Sequence, residues 1–203
     1  MNRLLFPGIA GACLLAACAN HHPQPATPVQ DTLTGSDTSS TLFFPVVDYL
    51  RSEIRHIDSL PVALKRYTTR QGKKDSAFIS VAEFNALAEE FLTPDLGDSY
   101  FKKHYTEASF VDNTTGTITF TYSTADKNLP IQRVDVVTVP GTRSSKVKSI
   151  YLEKIRTAGD SATLQKLYWN SRRDFQIVSM VRIKGGNPEE QLTSVVWGDN
   201  EDD

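Results

Sequence analysis

The chain has 203 residues, of which 39% are hydrophobic, and a formal net charge of −2 at pH 7. This length and this apolar content suffice for one globular domain with its own core. The slightly acidic balance argues against a nucleic-acid-binding domain, because such domains carry a clear excess of Lys and Arg.

The N-terminal segment combines Arg3 with an apolar run from Leu4 to Ala17. The run is too short for a membrane-spanning helix, which needs about 20 apolar residues. Pro7 and two glycines also weaken it as a helix. A basic residue followed by a short apolar segment is typical of a cleaved export signal. We therefore predict that residues 1–17 are a signal peptide.

The apolar run ends in Leu15-Ala16-Ala17-Cys18, which resembles the lipobox of bacterial lipoproteins. The resemblance implies that Cys18 becomes the first mature residue and carries a diacylglyceryl thioether, with its amino group acylated. Several acyl chains make a stable anchor where one chain is marginal. Ala19 follows the cysteine, as in Gram-negative lipoproteins sorted to the outer membrane. The resemblance thus predicts a protein of the cell envelope, lipid-anchored in the outer membrane and facing the periplasm.

The cysteine count agrees with a lipidated Cys18. The chain contains two cysteines, and Cys13 would leave with the signal peptide. The folded part would then have no disulfide, no Cys-ligated metal and no cysteine nucleophile. The alternative is an ordinary secretory signal cut after Ala17, which would leave Cys18 as a free, exposed thiol.

Residues 18–41 are predicted to be the lipidated cysteine followed by a disordered tether. Pro, Thr and Ser dominate this segment, and it has too few apolar residues to fold. As a coil it would hold the domain about 25–30 Å from the bilayer. A single globular domain is predicted over residues 42–199, followed by a short acidic tail at 200–203.

Two helices are predicted near the start of this domain. Apolar residues recur at helical spacing and predict a first helix over about 45–58. They are Phe43, Val47, Leu50, Ile54 and Ile57. Ser80 and Glu83 form a capping box, which predicts a second helix over about 81–92. Thr93-Pro94 ends it, because a residue before proline avoids the helical conformation.

A strand is predicted between the helices, over 62–70, with a polar turn at 71–75. Five basic residues lie in this short stretch: Lys65, Arg66, Arg70, Lys73 and Lys74. One interpretation is a patch that contacts anionic lipid head groups or another acidic envelope polymer. The other is the solvated end of a hairpin.

From about residue 104 the sequence takes on the composition of strands, rich in Thr, Val, Ile and aromatic residues. The segments are 104–111, 117–123, 131–139, 147–156, 162–169, 175–183 and 192–197. Their connections are too short for crossover helices, so the strands should pair antiparallel. The predicted fold is α+β, with two N-terminal helices packed on a curved antiparallel β-meander of about six to eight strands.

The predicted sheet has one strongly apolar face and one mixed face. Phe175 and Ile177 share a face, whereas Val178 and Met180 point oppositely beside Gln176. The apolar face should pack under the helices. The mixed face either holds an apolar ligand or partner, or is buried because the sheet curls and closes on itself.

Catalytic and cofactor motifs are absent from the sequence: there is no Gly-rich phosphate loop, G-x-S-x-G, H-E-x-x-H or Cys/His cluster. No cofactor and no metal are therefore predicted. The sequence favours a non-enzymatic binding or accessory module whose partners are the membrane, through Cys18, and other envelope proteins or lipid. Two alternatives stay open. The element order is similar to that of half-barrel carriers of lipids or lipoproteins, and to that of cone-shaped helix-plus-sheet (NTF2-like) enzymes.

Overall fold

The computed structural model describes residues 43–96, 99, 103–141 and 145–198. These residues form two α-helices and one nine-stranded antiparallel sheet. The predicted α+β class and the antiparallel sheet are therefore confirmed. The predicted signal peptide, Cys18, tether and acidic tail lie outside the described residues. Within the described ranges, no helix has the length and apolar character that crossing a membrane requires.

The first helix, α1, spans Val46–Asp58 and buries the apolar stripe that the sequence predicts. The second, α2, spans Val81–Ala88 and begins at the predicted capping box. There Ser80 Oγ accepts a hydrogen bond from Glu83 N at 3.2 Å, and Glu83 Oε2 accepts one from Ser80 N at 2.9 Å. The chain then tightens into a 3₁₀ turn at Glu89–Phe91. The predicted second helix thus contains two helical types in succession.

The nine strands are β1 Leu64–Arg70, β2 Lys73–Phe78, β3 Thr106–Asp112, β4 Thr117–Ser123, β5 Ile131–Val139, β6 Lys146–Ala158, β7 Ser161–Asn170, β8 Asp174–Ile183 and β9 Glu189–Trp197. Their order in the sheet is β2-β1-β9-β8-β7-β6-β5-β4-β3. Strands β3 to β9 form the predicted meander. The hairpin β1–β2 adds to it through pairing of β1 with β9, which sets Leu64 opposite Trp197.

The strand predicted between the helices is observed as β1, and it forms a hairpin with β2 that separates α1 from α2. One detail of the fold prediction needs correction. The sheet has nine strands rather than about six to eight, because the start of β2 lies in the predicted turn at 71–75. Its sequence, Lys-Lys-Asp-Ser-Ala-Phe, has no apolar alternation, and only Ala77 is even half-buried. Backbone pairing with β1 at the edge of the sheet, rather than side-chain burial, holds this strand.

The core lies between the helices and one face of the sheet. The ring of Phe91 meets Trp169 of β7 edge to face, with centroids 5.3 Å apart. Phe84 of α2 lies 5.7 Å from Phe175 of β8 and 5.8 Å from Trp197 of β9. Helix α1 adds its apolar stripe to the same buried cluster. Burial of these large rings is the main stabilising contribution of the fold.

Candidate functional site

The sheet face opposite the helices is a surface that the core does not use. Strand alternation turns Trp169 and Phe175 toward the helices and Tyr168 and Gln176 the other way. No helix or strand among the described residues packs over this second face. Most of its side chains are half-buried or exposed, and Tyr168 is 38% exposed. We call this surface the uncovered face.

The sheet stays open in the part of the chain that the structure describes. Its order is linear, and β2 and β3 each pair with one neighbour only. The two ends of the sheet therefore do not pair with each other to form a barrel. Of the two alternatives for the mixed face, the open arrangement is the one observed in these residues.

One row of cross-strand neighbours runs over the uncovered face from β4 to β2. In order, the row contains Thr121, Asp135, Tyr151, Tyr168, Gln176, Ser194, Tyr67 and Ser76. We call it the tyrosine row. Tyr67 is 42% exposed and Tyr151 is half-buried. Three aromatic rings and five hydrogen-bonding side chains thus lie on one line across eight strands.

Charged side chains at the β4–β6 end of the row are paired with each other. Arg133 Nε donates to both carboxylate oxygens of Asp135 at 2.9 Å, and Thr121 Oγ1 donates to Asp135 at 2.7 Å. The Asp135 carboxylate raises the pKa of Arg133. Tyr151 OH donates to Glu153 Oε2 at 3.1 Å. Burial, reinforced by the Glu153 charge, raises the pKa of Tyr151 to about 12. Tyr151 therefore remains a hydrogen-bond donor throughout the physiological range.

A second part of the uncovered face is apolar. Ile155, Leu164 and Met180 are consecutive cross-strand neighbours on β6, β7 and β8, and Val178 and Leu192 are neighbours on β8 and β9. All five are half-buried. We call these five residues the apolar patch. It lies beside the tyrosine row, so the face offers both hydrogen-bonding and apolar surface.

The five basic residues predicted as a patch do not share one surface. Lys65 and Lys74 lie on the uncovered face, whereas Arg66, Arg70 and Lys73 alternate to the helix side of the hairpin.

Two of these residues have partners of their own. Arg70 Nη2 lies 2.8 Å from Glu189 Oε2. Lys65 Nζ lies 5.0 Å from the ring centroid of Tyr67 and 5.7 Å from that of Phe78, within the range of cation–π attraction. Contact of the hairpin with an anionic surface stays a prediction, as does lipidation of Cys18.

A cleft of about 260 Å³ lies on the helix side, at the end of α2. Lys154 of β6 is at its base, with Glu89, Glu90, Arg156 and Gln165 around it. The Lys154 ammonium group is committed to Glu90, at 2.7 Å from the main-chain oxygen and 3.1 Å from the carboxylate. The ion pair in this cleft therefore joins the end of the helical segment to the sheet. We assign it a structural role.

A larger cleft of about 440 Å³ is lined by residues of α1 and of the β7–β8 turn, among them Tyr49, Glu53, Ser171 and Arg172. The Tyr49 and Ser171 hydroxyl oxygens lie 2.7 Å apart. Burial raises the pKa of Tyr49, so this phenol stays protonated at neutral pH. In the described residues, no cluster of three or more His, Cys, Asp or Glu side chains is placed to hold a metal ion.

The sequence alone places Gln176 on the mixed face but does not align the row. Tyr67 lies in the predicted strand 62–70, and Asp135 and Tyr151 lie in other strands. Local alternation shows that each points away from a buried neighbour, but only the register between strands aligns them.

Comparisons with known proteins leave the family open. No protein-family model and no curated protein matches the chain. Among solved structures, the chain is similar to the S-type phycobiliprotein lyase CPES from Guillardia theta, at 8% sequence identity and a TM-score of 0.23. The match covers 76% of this chain and 99% of that chain. A likeness this low carries no argument about fold or function.

Proposed function

We propose that the chain is an envelope lipoprotein, anchored in the outer membrane through Cys18, whose domain faces the periplasm and binds an envelope component. In this proposal the protein is a binding module and not an enzyme. The anchor is supported by the sequence Leu15-Ala16-Ala17-Cys18 after a short apolar run. The Pro- and Thr-rich segment that follows supports a tether.

The observation that carries the binding role is the uncovered face with its tyrosine row. Large aromatic side chains are costly to leave in water, and Tyr is enriched where proteins contact partners. Tyr67 and Tyr168 are both exposed by more than a third, on a face that the core does not use. We therefore assign binding to the tyrosine row of the uncovered face.

The anchor is tested by fractionating cells that express Cys18→Ser. We expect this variant in the soluble fraction, whereas the wild type stays with the membrane and its N-terminal peptide carries acyl chains in mass spectrometry. Cys13→Ser is the matched control, because it removes the other cysteine of the chain and should leave lipidation unchanged. Retention of Cys18→Ser in the membrane, or equal release of both variants, contradicts the anchor.

The binding face is tested by hydroxyl-radical footprinting in intact envelopes and on the purified protein. We expect Tyr67 and Tyr168 to be oxidised in the purified protein and protected in envelopes. His56, which is exposed on α1, should be oxidised equally in both. Equal oxidation of the two tyrosines in both samples would show that this face contacts nothing in the envelope.

The apolar patch supports a second candidate, a carrier or chaperone for lipid or lipoprotein. A sheet curved toward the uncovered face would deepen the patch, and the half-burial of its side chains without a covering element favours such a curvature. In this case, lipid should be found in an organic extract of the purified, non-acylated protein. Met180→Asp should abolish lipid retention, whereas Arg182→Asp, at an exposed position on the same strand and face, should not.

A further inference from the structure

We propose that the tyrosine row binds a glycan, a chain of neutral or weakly charged pyranose sugars that lies across the strands. This inference rests on the proposed function, because it names the ligand class of the uncovered face.

The composition of the row matches the two surfaces of a sugar. A pyranose ring has an apolar face of C–H groups, which stacks on an aromatic ring, and a rim of hydroxyl groups, which need donors and acceptors. Tyr151, Tyr168 and Tyr67 supply rings with few rotatable bonds, so little conformational entropy is lost on binding. Gln176 and Ser194 lie between Tyr168 and Tyr67 and can donate and accept hydrogen bonds.

The geometry of the row suits a chain longer than one sugar. Neighbouring strands lie about 4.8 Å apart, so Tyr151 and Tyr168 offer adjoining ring surfaces on adjacent strands. Three strand steps separate Tyr168 from Tyr67, a distance of about 14 Å. An extended glycan could stack on both ends of this interval and place hydroxyl groups over Gln176 and Ser194 between them.

The charge of the row disfavours a membrane surface or another polyanion. Asp135 is neutralised by Arg133, with both carboxylate oxygens at 2.9 Å from Nε. In the adjacent row Glu153 is the cross-strand neighbour of both Arg133 and Lys166, so positive and negative groups alternate. Alternating charges produce little net field, whereas anionic lipids are recognised by clusters of Lys and Arg.

The backbone beneath the row disfavours a peptide. A peptide that binds a sheet gains most of its affinity by pairing with the free N–H and C=O groups of an edge strand. Seven of the eight strands that the row crosses, β4 to β9 and β1, have a neighbour on both sides, so their backbone groups are used in the sheet ladder. Among these eight described strands, only β2, at the Ser76 end of the row, has an unpaired edge. Recognition over the three tyrosines must therefore come from side chains. An acyl chain would in turn bury Asp135 and Gln176 without hydrogen-bond partners in the ligand.

The test uses the full lipoprotein extracted from membranes in detergent and two glycan probes: purified peptidoglycan sacculi, in co-sedimentation, and a soluble hexamer of N-acetylglucosamine, in titration. We expect the wild type to bind at least one probe. Tyr168→Ala and Tyr67→Ala should each weaken binding about tenfold, because each removes one stacking surface. Tyr168→Phe should retain most of the affinity.

Two controls separate a role in binding from a role in folding. Phe110→Ala removes another exposed aromatic of the uncovered face, 66% exposed on β3 and outside the row, and should leave binding unchanged. If circular dichroism shows that a tyrosine variant is misfolded, Gln176→Ala is tested in its place. Gln176 is exposed, so this substitution removes only side-chain hydrogen bonds.

The inference is overturned if the wild type binds neither probe. It is also overturned if Phe110→Ala weakens binding as much as the tyrosine variants do. Binding to phosphatidylglycerol vesicles in place of the glycans also overturns it and favours a membrane-surface contact. The proposed function fails separately: it is contradicted when Cys18→Ser stays in the membrane or when Tyr67 and Tyr168 are not protected in envelopes. If Tyr67 and Tyr168 are protected in envelopes but neither glycan probe binds, the uncovered face is a binding surface and its ligand is not a glycan.

Discussion

The ammonium group of Lys154 lies 2.7 Å from the main-chain oxygen of Glu90 and 3.1 Å from its carboxylate. Lys154 is on the helix-side face of β6 and is only 9% exposed. Its charge is compensated both by the carboxylate and by a carbonyl group near the C-terminal end of the helical segment, where the helix dipole is negative. One side chain thus joins the 3₁₀ turn to the sheet and satisfies a carbonyl that has no helical partner.

Lys154→Met should lower the free energy of unfolding by about 1–3 kcal/mol, because the Glu90 oxygens lose their donor. Glu90→Gln should cost less, since the bond to the main-chain oxygen remains. Urea denaturation monitored by circular dichroism measures both. Lys146→Met, at an exposed position of the same strand, is the control and should change little. Equal effects of Lys154→Met and Lys146→Met would mean that the ion pair does not stabilise the fold.

Phe91→Ala should lower the free energy of unfolding by about 3–5 kcal/mol. Phe91 is 1% exposed and contacts both Trp169 and Phe175, so its removal opens a cavity in the aromatic cluster. Phe78→Ala removes an equally large ring that is 73% exposed and should change the stability by less than about 0.5 kcal/mol. Thermal and urea unfolding measure the difference. If the two variants lose similar free energies of unfolding, the aromatic cluster around Phe91 is not the main core of the domain.

Ser80→Ala should cost about 1 kcal/mol, because it removes the acceptor for the Glu83 amide at the start of α2. Ser80→Thr should retain most of the stability, since the threonine hydroxyl can accept the same hydrogen bond and donate to the Glu83 carboxylate. Thermal unfolding compares the three proteins. If Ser80→Thr is as unstable as Ser80→Ala, the hydroxyl group does not stabilise α2 as a cap.

Asp174→Asn should stabilise the protein at pH 7 and have no such effect below pH 3.8, the usual pKa of the group. Burial raises the pKa of Asp174, and Arg173 and Asn170 offset part of this rise. Because the folded pKa is raised, the stability contributed by the protonated carboxyl is present below the unfolded pKa and lost as the pH rises through the folded value.

The gain from Asp174→Asn at pH 7 should stay below about 1 kcal/mol, because the group is partly solvated. Unfolding by urea at pH 7 and pH 3.5 measures it. Asp75→Asn, at an exposed position on β2, should show no such pH-dependent gain. A gain of the same size at both pH values would mean that charge is not the cause.

Sequence patterns predicted the elements whose formation depends on local chemistry. The capping box at Ser80 and Glu83 places the start of α2 at Val81, and the 3.6-residue period defines α1. Sequence patterns fail to predict an element where tertiary contacts determine its secondary structure. Strand β2 has no apolar alternation, and its pairing with β1 is what makes it a strand. The 3₁₀ turn that ends at Phe91 is likewise not encoded by spacing alone.

The candidate site was less predictable than the fold because it is defined by register. Each of Tyr67, Tyr151 and Tyr168 can be assigned to a face from its own strand. Their alignment depends on pairings between β6 and β7 and between β1 and β9, and the second of these joins segments far apart in the sequence. Alternation in a single strand carries no information about such pairings.

The pairing of β1 with β9 also sets the order of events during synthesis. The hairpin β1–β2 is made early, but its partner strand, Glu189–Trp197, is made more than a hundred residues later. Closing so long a loop is entropically costly, so this contact should form late in folding. Until then Leu64 lacks its cross-strand neighbour Trp197, and the hairpin has no strand of the meander to pair with. If the chain is an exported lipoprotein, as proposed, this delay would keep it incompletely folded until it has crossed the inner membrane.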